Sequence, residues 1–144
     1  YPPKKLLMSR QKRIASLSTD GEICDNTIIM GILVKDLQGV ENNSISKYFK
    51  NIGKNRTEVE KISEDYKLEY LLSLINSTLM RYFIKYNSKG AIDTYPDDWK
   101  KIPIKTISLP EQKPFIEKAD LMLNLNKEFY DKKNKFFNRI KRSQ

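Results

Sequence analysis

The stretch Tyr66-Lys67-Leu68-Glu69-Tyr70-Leu71-Leu72-Ser73-Leu74-Ile75-Asn76-Ser77-Thr78-Leu79-Met80-Arg81-Tyr82-Phe83-Ile84-Lys85-Tyr86 decides the fold class. Leu68, Leu72, Ile75, Leu79, Tyr82 and Tyr86 recur at steps of four and three, the spacing that puts side chains on one face of an α-helix. Leu71, Leu74, Thr78 and Phe83 widen the stripe, so the spacing predicts one well-buried helix. Ser63, Glu64, Asp65 and Glu69 give its expected start an acidic character, and Arg81 and Lys85 lie toward the opposite end. Both placements suit the helix dipole. Ser88-Lys89-Gly90 supplies a stop, with Gly90 expected as a left-handed cap.

Upstream, the period changes. Leu6-Leu7-Met8 is a short apolar run, and Arg13 to Ser18 alternates weakly. Thr19-Asp20-Gly21-Glu22 reads as a turn. Thr27 to Val34 is rich in β-branched residues and is expected to form a buried strand beside Cys24. Residues 36–57 mix Gly39, Asn42, Asn43, Ser44, Asn51, Gly53 and Asn55 with Lys47, Lys50, Lys54 and Arg56, which is loop composition. Tyr48-Phe49 is a small apolar anchor within it, expected on one helical turn.

Downstream, Ala91-Ile92 is expected as a short strand, and Tyr95-Pro96-Asp97-Asp98-Trp99 as a turn leading into one helical turn. Residues before Pro103 and Pro110 avoid the helical region, so Ile102-Pro103-Ile104 and Ile107-Ser108-Leu109-Pro110 read as extended. From Glu111 the chain reads as helix nearly to its end, with Phe115, Ala119, Met122, Phe129, Phe136 and Ile140 on one stripe. Ile116, Leu123, Tyr130 and Phe137 flank that stripe. A rod this long exceeds the body it belongs to, and its outer half is expected to pack on another segment or chain. The expectation is therefore an α+β protein: a small N-terminal β-rich part packed on a buried helix, with a long C-terminal helix. Residues 1–110 form the domain and 111–144 the helical arm.

Composition narrows the function. The 144 residues hold no histidine and one cysteine, which excludes His-dependent triads, an internal disulfide and Cys-rich zinc sites within this sequence. The apolar run of residues 27–34 falls far short of a membrane span, no signal peptide is visible, and a cytoplasmic setting is expected. The start at Tyr1-Pro2-Pro3 suggests a piece of a longer protein.

The net charge of +9 is unevenly distributed. Residues 1–13 carry +5, residues 47–56 carry +4 and residues 127–144 carry +5, while the remainder is mildly acidic. The last cluster suits a helix C-terminus, and the first two serve equally as solvated faces or as phosphate contacts. Both mix Arg and Lys with Asn or Gln, the side chains that read base edges and neutralise phosphates. The DNA-binding candidates are Arg10, Lys12, Arg13, Lys50, Lys54, Asn55 and Arg56, with Lys85 and Lys89 on the phosphate side.

Other chemistry is thin. The five glycines stand apart, so none forms a phosphate-cradling loop. Asp97-Asp98 suits a turn. Glu58, Glu60, Glu64 and Asp65 read as a solvated helix start rather than a cation site, and Cys24 as a small core residue. No catalytic or metal-binding residue is expected.

Several segments together resemble a known family. Lys4-Lys5-Leu6-Leu7-Met8-Ser9-Arg10, Cys24-Asp25-Asn26-Thr27, Tyr70 to Leu79, Trp99 to Ile104 and Leu109-Pro110-Glu111-Gln112 stand in its order and spacing across most of the chain. The sequence resembles the TaqI-like C-terminal specificity domain of type IIG restriction–modification adenine DNA methyltransferases. It is also similar to the target-recognition domains of type I specificity subunits. The resemblance implies sequence-specific binding of double-stranded DNA, with a methyltransferase domain of the same or a partner chain as the catalytic partner. The catalytic Asn-Pro-Pro motif and the glycine-containing cofactor loop are absent. The resemblance thus implies a non-enzymatic unit without its own cofactor, from a parent that uses S-adenosylmethionine and, where it cleaves DNA, magnesium. An alternative is a helical interaction or spacer module, with residues 115–140 making helix–helix contacts.

Overall fold

The computed structural model describes residues 4–21, 24–90 and 92–142. The chain is α+β, with a three-stranded antiparallel sheet followed by helices. The strands are β1 (Lys5–Ser9), β2 (Ala15–Ser18) and β3 (Ile28–Gly31), in the order β2-β1-β3. In the central strand, Leu7 sits opposite Ser16 on one side and Met30 on the other. Leu6 and Met8, two apart, are both buried, as the period of a strand requires. The expected strand at 27–34 is shorter and less buried than its composition suggests. Its four residues are half-buried, and a 3-10 turn (Val34–Leu37) follows it.

Residues 36–57 are not a loop. They contain helix α1 (Asn43–Ile52), and helix α2 (Arg56–Glu64) begins within them. Asn42 caps α1 by accepting the Ile45 N–H at 2.9 Å. Asn55 forms a capping box with Glu58, accepting its N–H at 2.8 Å while Glu58 accepts that of Asn55 at 2.9 Å. The asparagines that read as loop composition are helix caps, and the acidic cluster 58–65 runs along α2 instead of starting the next helix. Gly53 closes α1 at φ 65°, a conformation that favours glycine.

The predicted helix of residues 66–86 is two helices, α3 (Leu68–Ile75) and α4 (Thr78–Asn87). The break falls at Asn76-Ser77. Asn76 donates from Nδ2 to the Ala15 carbonyl and accepts the Ala15 N–H at Oδ1, both at 2.8 Å, which ties the end of α3 to β2. Ser77 caps α4 by accepting the Met80 N–H at 3.2 Å. α3 is the centre of the core, with Leu68, Tyr70, Leu72 and Ile75 buried. Leu68, Leu72 and Ile75 pack with Leu6, Met8, Ala15, Ile84, Trp99, Ile102 and Ala119.

A single helical turn, α5 (Pro96–Trp99), follows as expected. Ile92 is exposed and lies in no strand, and Ala91 falls outside the described residues. Gly90 does not cap α4 in a left-handed conformation. Ser88 occupies that cap position in extended backbone, and a Cβ on Gly90 would collide with the Asp93 carbonyl.

Helix α6 runs from Leu109 to Arg142, 34 residues or about 50 Å. It begins two residues earlier than expected, which puts Pro114 in its second turn. Buried Gln112 fixes its root by accepting the Lys67 N–H at 3.2 Å and donating to the Asp65 and Ile107 carbonyls. Phe115 meets the Tyr70 ring edge-on at 5.4 Å, and Ala119 is buried. Beyond Leu123 every described side chain is exposed, Phe129 and Phe136 included.

Candidate nucleic-acid interface

The β1–β2 turn and α4 form a basic depression. Residues 10–13 reverse the chain, with the Ser9 N–H bonded to the Ile14 carbonyl at 2.9 Å. Arg13 closes the turn at φ 53°. A non-glycine residue in that region is uncommon, and here the next residues enter the register of β2 directly. The turn meets α4 at a hollow of ≈ 280 Å³ lined by Lys12, Arg13, Thr78, Arg81, Tyr82 and Lys85. Arg81 and Lys85 stand one helical turn apart, so both reach the same hollow.

Among the described residues the lining holds four cations and no carboxylate, an arrangement that raises the local potential and favours a polyanion. On the same helix, Leu79, Tyr82 and Tyr86 are 69%, 62% and 62% exposed. These are residues of the stripe expected to be buried. The break at residues 76–77 gives α4 its own orientation, and Ile84, with Met80 and Phe83, faces the core instead.

The nine candidates do not converge. Lys12, Arg13 and Lys85 meet at the hollow, where Arg13 also donates from Nη2 to the Ile92 carbonyl at 3.3 Å. Arg10 is held by the fold: its Nε donates to the Thr94 carbonyl at 3.1 Å and its Nη1 to the Asn26 carbonyl at 2.9 Å. It also pairs with Asp93 at 3.5 Å and lies 4.8 Å from the Tyr95 ring centre. Thr94 in turn donates to the Arg10 carbonyl and accepts the Trp99 Nε1–H at 3.0 Å, so Arg10 anchors the turn that presents Lys12.

Arg56 is likewise committed. Its Nε pairs with Glu60 at 2.7 Å, and its other nitrogens donate to the Val40 and Leu37 carbonyls. Asn55 is the α2 cap already described. These three side chains are engaged within the fold, Arg10 and Arg56 by backbone carbonyls and carboxylates and Asn55 by a helix end. Lys50 is exposed in the last turn of α1. Lys54 lines a separate hollow with Glu58, Lys61 and Asp65, where carboxylates dilute its charge. Lys89 is exposed past the end of α4, and its N–H bonds to Asp98 at 3.2 Å.

Asp98 illustrates the electrostatics beside the site. Burial would raise its pKa. The N–H groups of Tyr95 and Lys89 and the Lys101 ammonium outweigh burial and hold the carboxyl below its ordinary value. Asp98 thus fixes the segment leaving α4. Arg81 and Tyr82 were missed in the sequence reading. Their signal was present, since Arg81 and Lys85 are spaced i, i+4, but the helix break that exposes them was not.

A larger groove of ≈ 570 Å³ lies elsewhere, between the sheet, α3 and α1, with Met8, Ile29, Leu71 and Trp99 on its walls and Ile45 and Phe49 from α1 above them. No cluster of three or more His, Cys, Asp or Glu side chains suited to a metal occurs among the described residues, and none of their helices is long and apolar enough to cross a membrane.

Comparison with protein-family models, with curated proteins and with solved structures found no match to this chain.

Proposed function

We propose that this chain binds nucleic acid as a target-recognition domain, delivering a site on duplex DNA to a methyltransferase domain on the same or a partner chain. One observation carries the reading: Lys12, Arg13, Arg81 and Lys85 converge at one hollow from two separate parts of the sequence. The resemblance to TaqI-like specificity domains supports the DNA class and the adenine methyltransferase parent, with its S-adenosylmethionine and cytoplasmic setting. In this reading the module is not itself an enzyme. The four cations neutralise phosphates and set register, while polar side chains of the β1–β2 turn reach base edges.

The test is duplex binding by fluorescence anisotropy across a salt series. Four phosphate contacts give a log–log slope of about −3.6, so affinity falls about 150-fold between roughly 50 and 200 mM salt. Charge reversal in R81E/K85E removes most of this dependence, whereas K54E, in the mixed-charge hollow, changes it little. A salt-insensitive or absent interaction with every duplex overturns the reading.

A second reading rests on the exposed half of α6. The pairs Phe115/Ile116, Met122/Leu123, Phe129/Tyr130 and Phe136/Phe137 repeat every seven residues, which is the period of a helix–helix seam. The first two pairs include the side chains that meet the body, and the last two are exposed. In this reading α6 is a spacer or interaction arm. Truncation before residue 127 then changes assembly in sedimentation while leaving DNA affinity in place.

A further inference from the structure

The exposed aromatic side of α4 is not needed for phosphate contact, and it points to a second component of the ligand. Tyr82 and Tyr86 stand one turn apart with ring centres 4.3 Å apart and planes at 41°. Each ring is largely open to solvent, and Leu79, one turn before Tyr82, extends the apolar surface. Cations lie against the rings. Lys85 Nζ sits over the Tyr86 ring, 5.2 Å from its centre, and Tyr82 itself lines the hollow that holds Lys12, Arg13 and Arg81.

An exposed apolar patch calls for an occupant. Cations at its edge select an anionic one over a neutral helix or an apolar ligand. Aromatic faces beside phosphate-binding cations match the two halves of a nucleotide, a flat base and a charged linkage. A perfect B-form duplex offers only base edges in its grooves, because its base faces are stacked on one another. A base whose face is free is unpaired: in a single strand, at a bulge, or swung out of the helix.

We propose that Tyr82 and Tyr86 form a stacking ledge for an unpaired nucleobase, with the phosphates flanking that base held by Arg81, Lys85, Lys12 and Arg13. The proposal deepens the nucleic-acid reading above and rests on it. It makes the site selective for strands carrying an unpaired nucleotide over fully paired duplex.

The experiment compares three fluorescein-labelled DNA probes of one sequence at one salt concentration: a perfect duplex, the same duplex with a one-nucleotide bulge, and the single strand. The protein is the full chain, as wild type, Y82A/Y86A and Y82F/Y86F. Circular dichroism and Trp99 fluorescence confirm that each variant is folded. Wild type is expected to prefer the bulged duplex and the single strand to the paired duplex. Each stacked base contributes about tenfold or more in affinity, so Y82A/Y86A lowers that preference about tenfold. Y82F/Y86F, which keeps the ring faces, retains it.

If wild type binds paired duplex with the expected salt slope but shows no preference for unpaired bases, or if the alanine variant keeps that preference, the ledge is overturned and the phosphate site stands. If no probe binds, the nucleic-acid reading fails and takes the ledge with it. Loss of the preference in the phenylalanine variant as well would trace it to the hydroxyls and overturn stacking.

Discussion

Helices α3 and α4 come from one continuous apolar pattern and end in opposite situations. Leu68, Leu72 and Ile75 of α3 are buried, whereas Leu79, Tyr82 and Tyr86, which continue the same stripe in α4, face solvent. Two polar residues between them make the difference. Asn76 attaches its amide to both backbone groups of Ala15, and Ser77 restarts the helix with its own cap. A helical period therefore shows which residues share a face, but it carries that assignment only as far as the helix remains unbroken. In this chain the break converts half of a core stripe into surface and places it beside four cations.

The contrast can be broken at either side or at the joint. Leu72→Ala removes a side chain that is 5% exposed, and the cavity left behind is expected to cost about 3 kcal/mol in urea denaturation. Asn76→Ala deprives the Ala15 N–H and carbonyl of their partners, and about 2 kcal/mol is expected in the same assay. Ser77→Ala removes the α4 cap and costs about 1 kcal/mol. Leu79→Ala, at 69% exposure, stays within about 0.5 kcal/mol of wild type, although its position in the pattern matches that of Leu72. Equal losses for Leu72→Ala and Leu79→Ala would mean that one helix spans both segments in solution.

The parts legible in the sequence were those with local causes. Leu6-Leu7-Met8 forms β1 and residues 15–18 form β2 (Ala15–Ser18) because the two runs pair with each other across a tight turn. Pro96 at a helix start and the long stripe after Glu111 were equally plain. The failures had distant or ambiguous causes. Asn76 breaks a helix because of a residue 61 positions away. Asn42 and Asn55 cap helices with the same side-chain chemistry that makes asparagine common in loops. The spacing of Ile45, Tyr48, Phe49 and Ile52 was helical all along, but it was outweighed by the polar composition around it.

The candidate site divides along the same line. Composition located the basic clusters, yet it could not separate a cation facing solvent from one consumed by the fold. Arg10 and Arg56 turn to backbone carbonyls that tertiary structure alone brings near them. Lys12 and Lys85 are exposed and end in the hollow with Arg81.

The two left-handed glycines that bracket α1 have a mechanical consequence. Gly39 sits at φ 75° before the helix and Gly53 at φ 65° after it, while no residue of α1 is buried. An ordinary surface loop lets each side chain wander separately. Here the ten residues of α1 are stiffened by their own hydrogen bonds, so Lys47 and Lys50 keep a fixed spacing, and Arg56 holds the Leu37 and Val40 carbonyls on either side of Gly39. The apolar side of α1 above the groove is presented as one rigid piece.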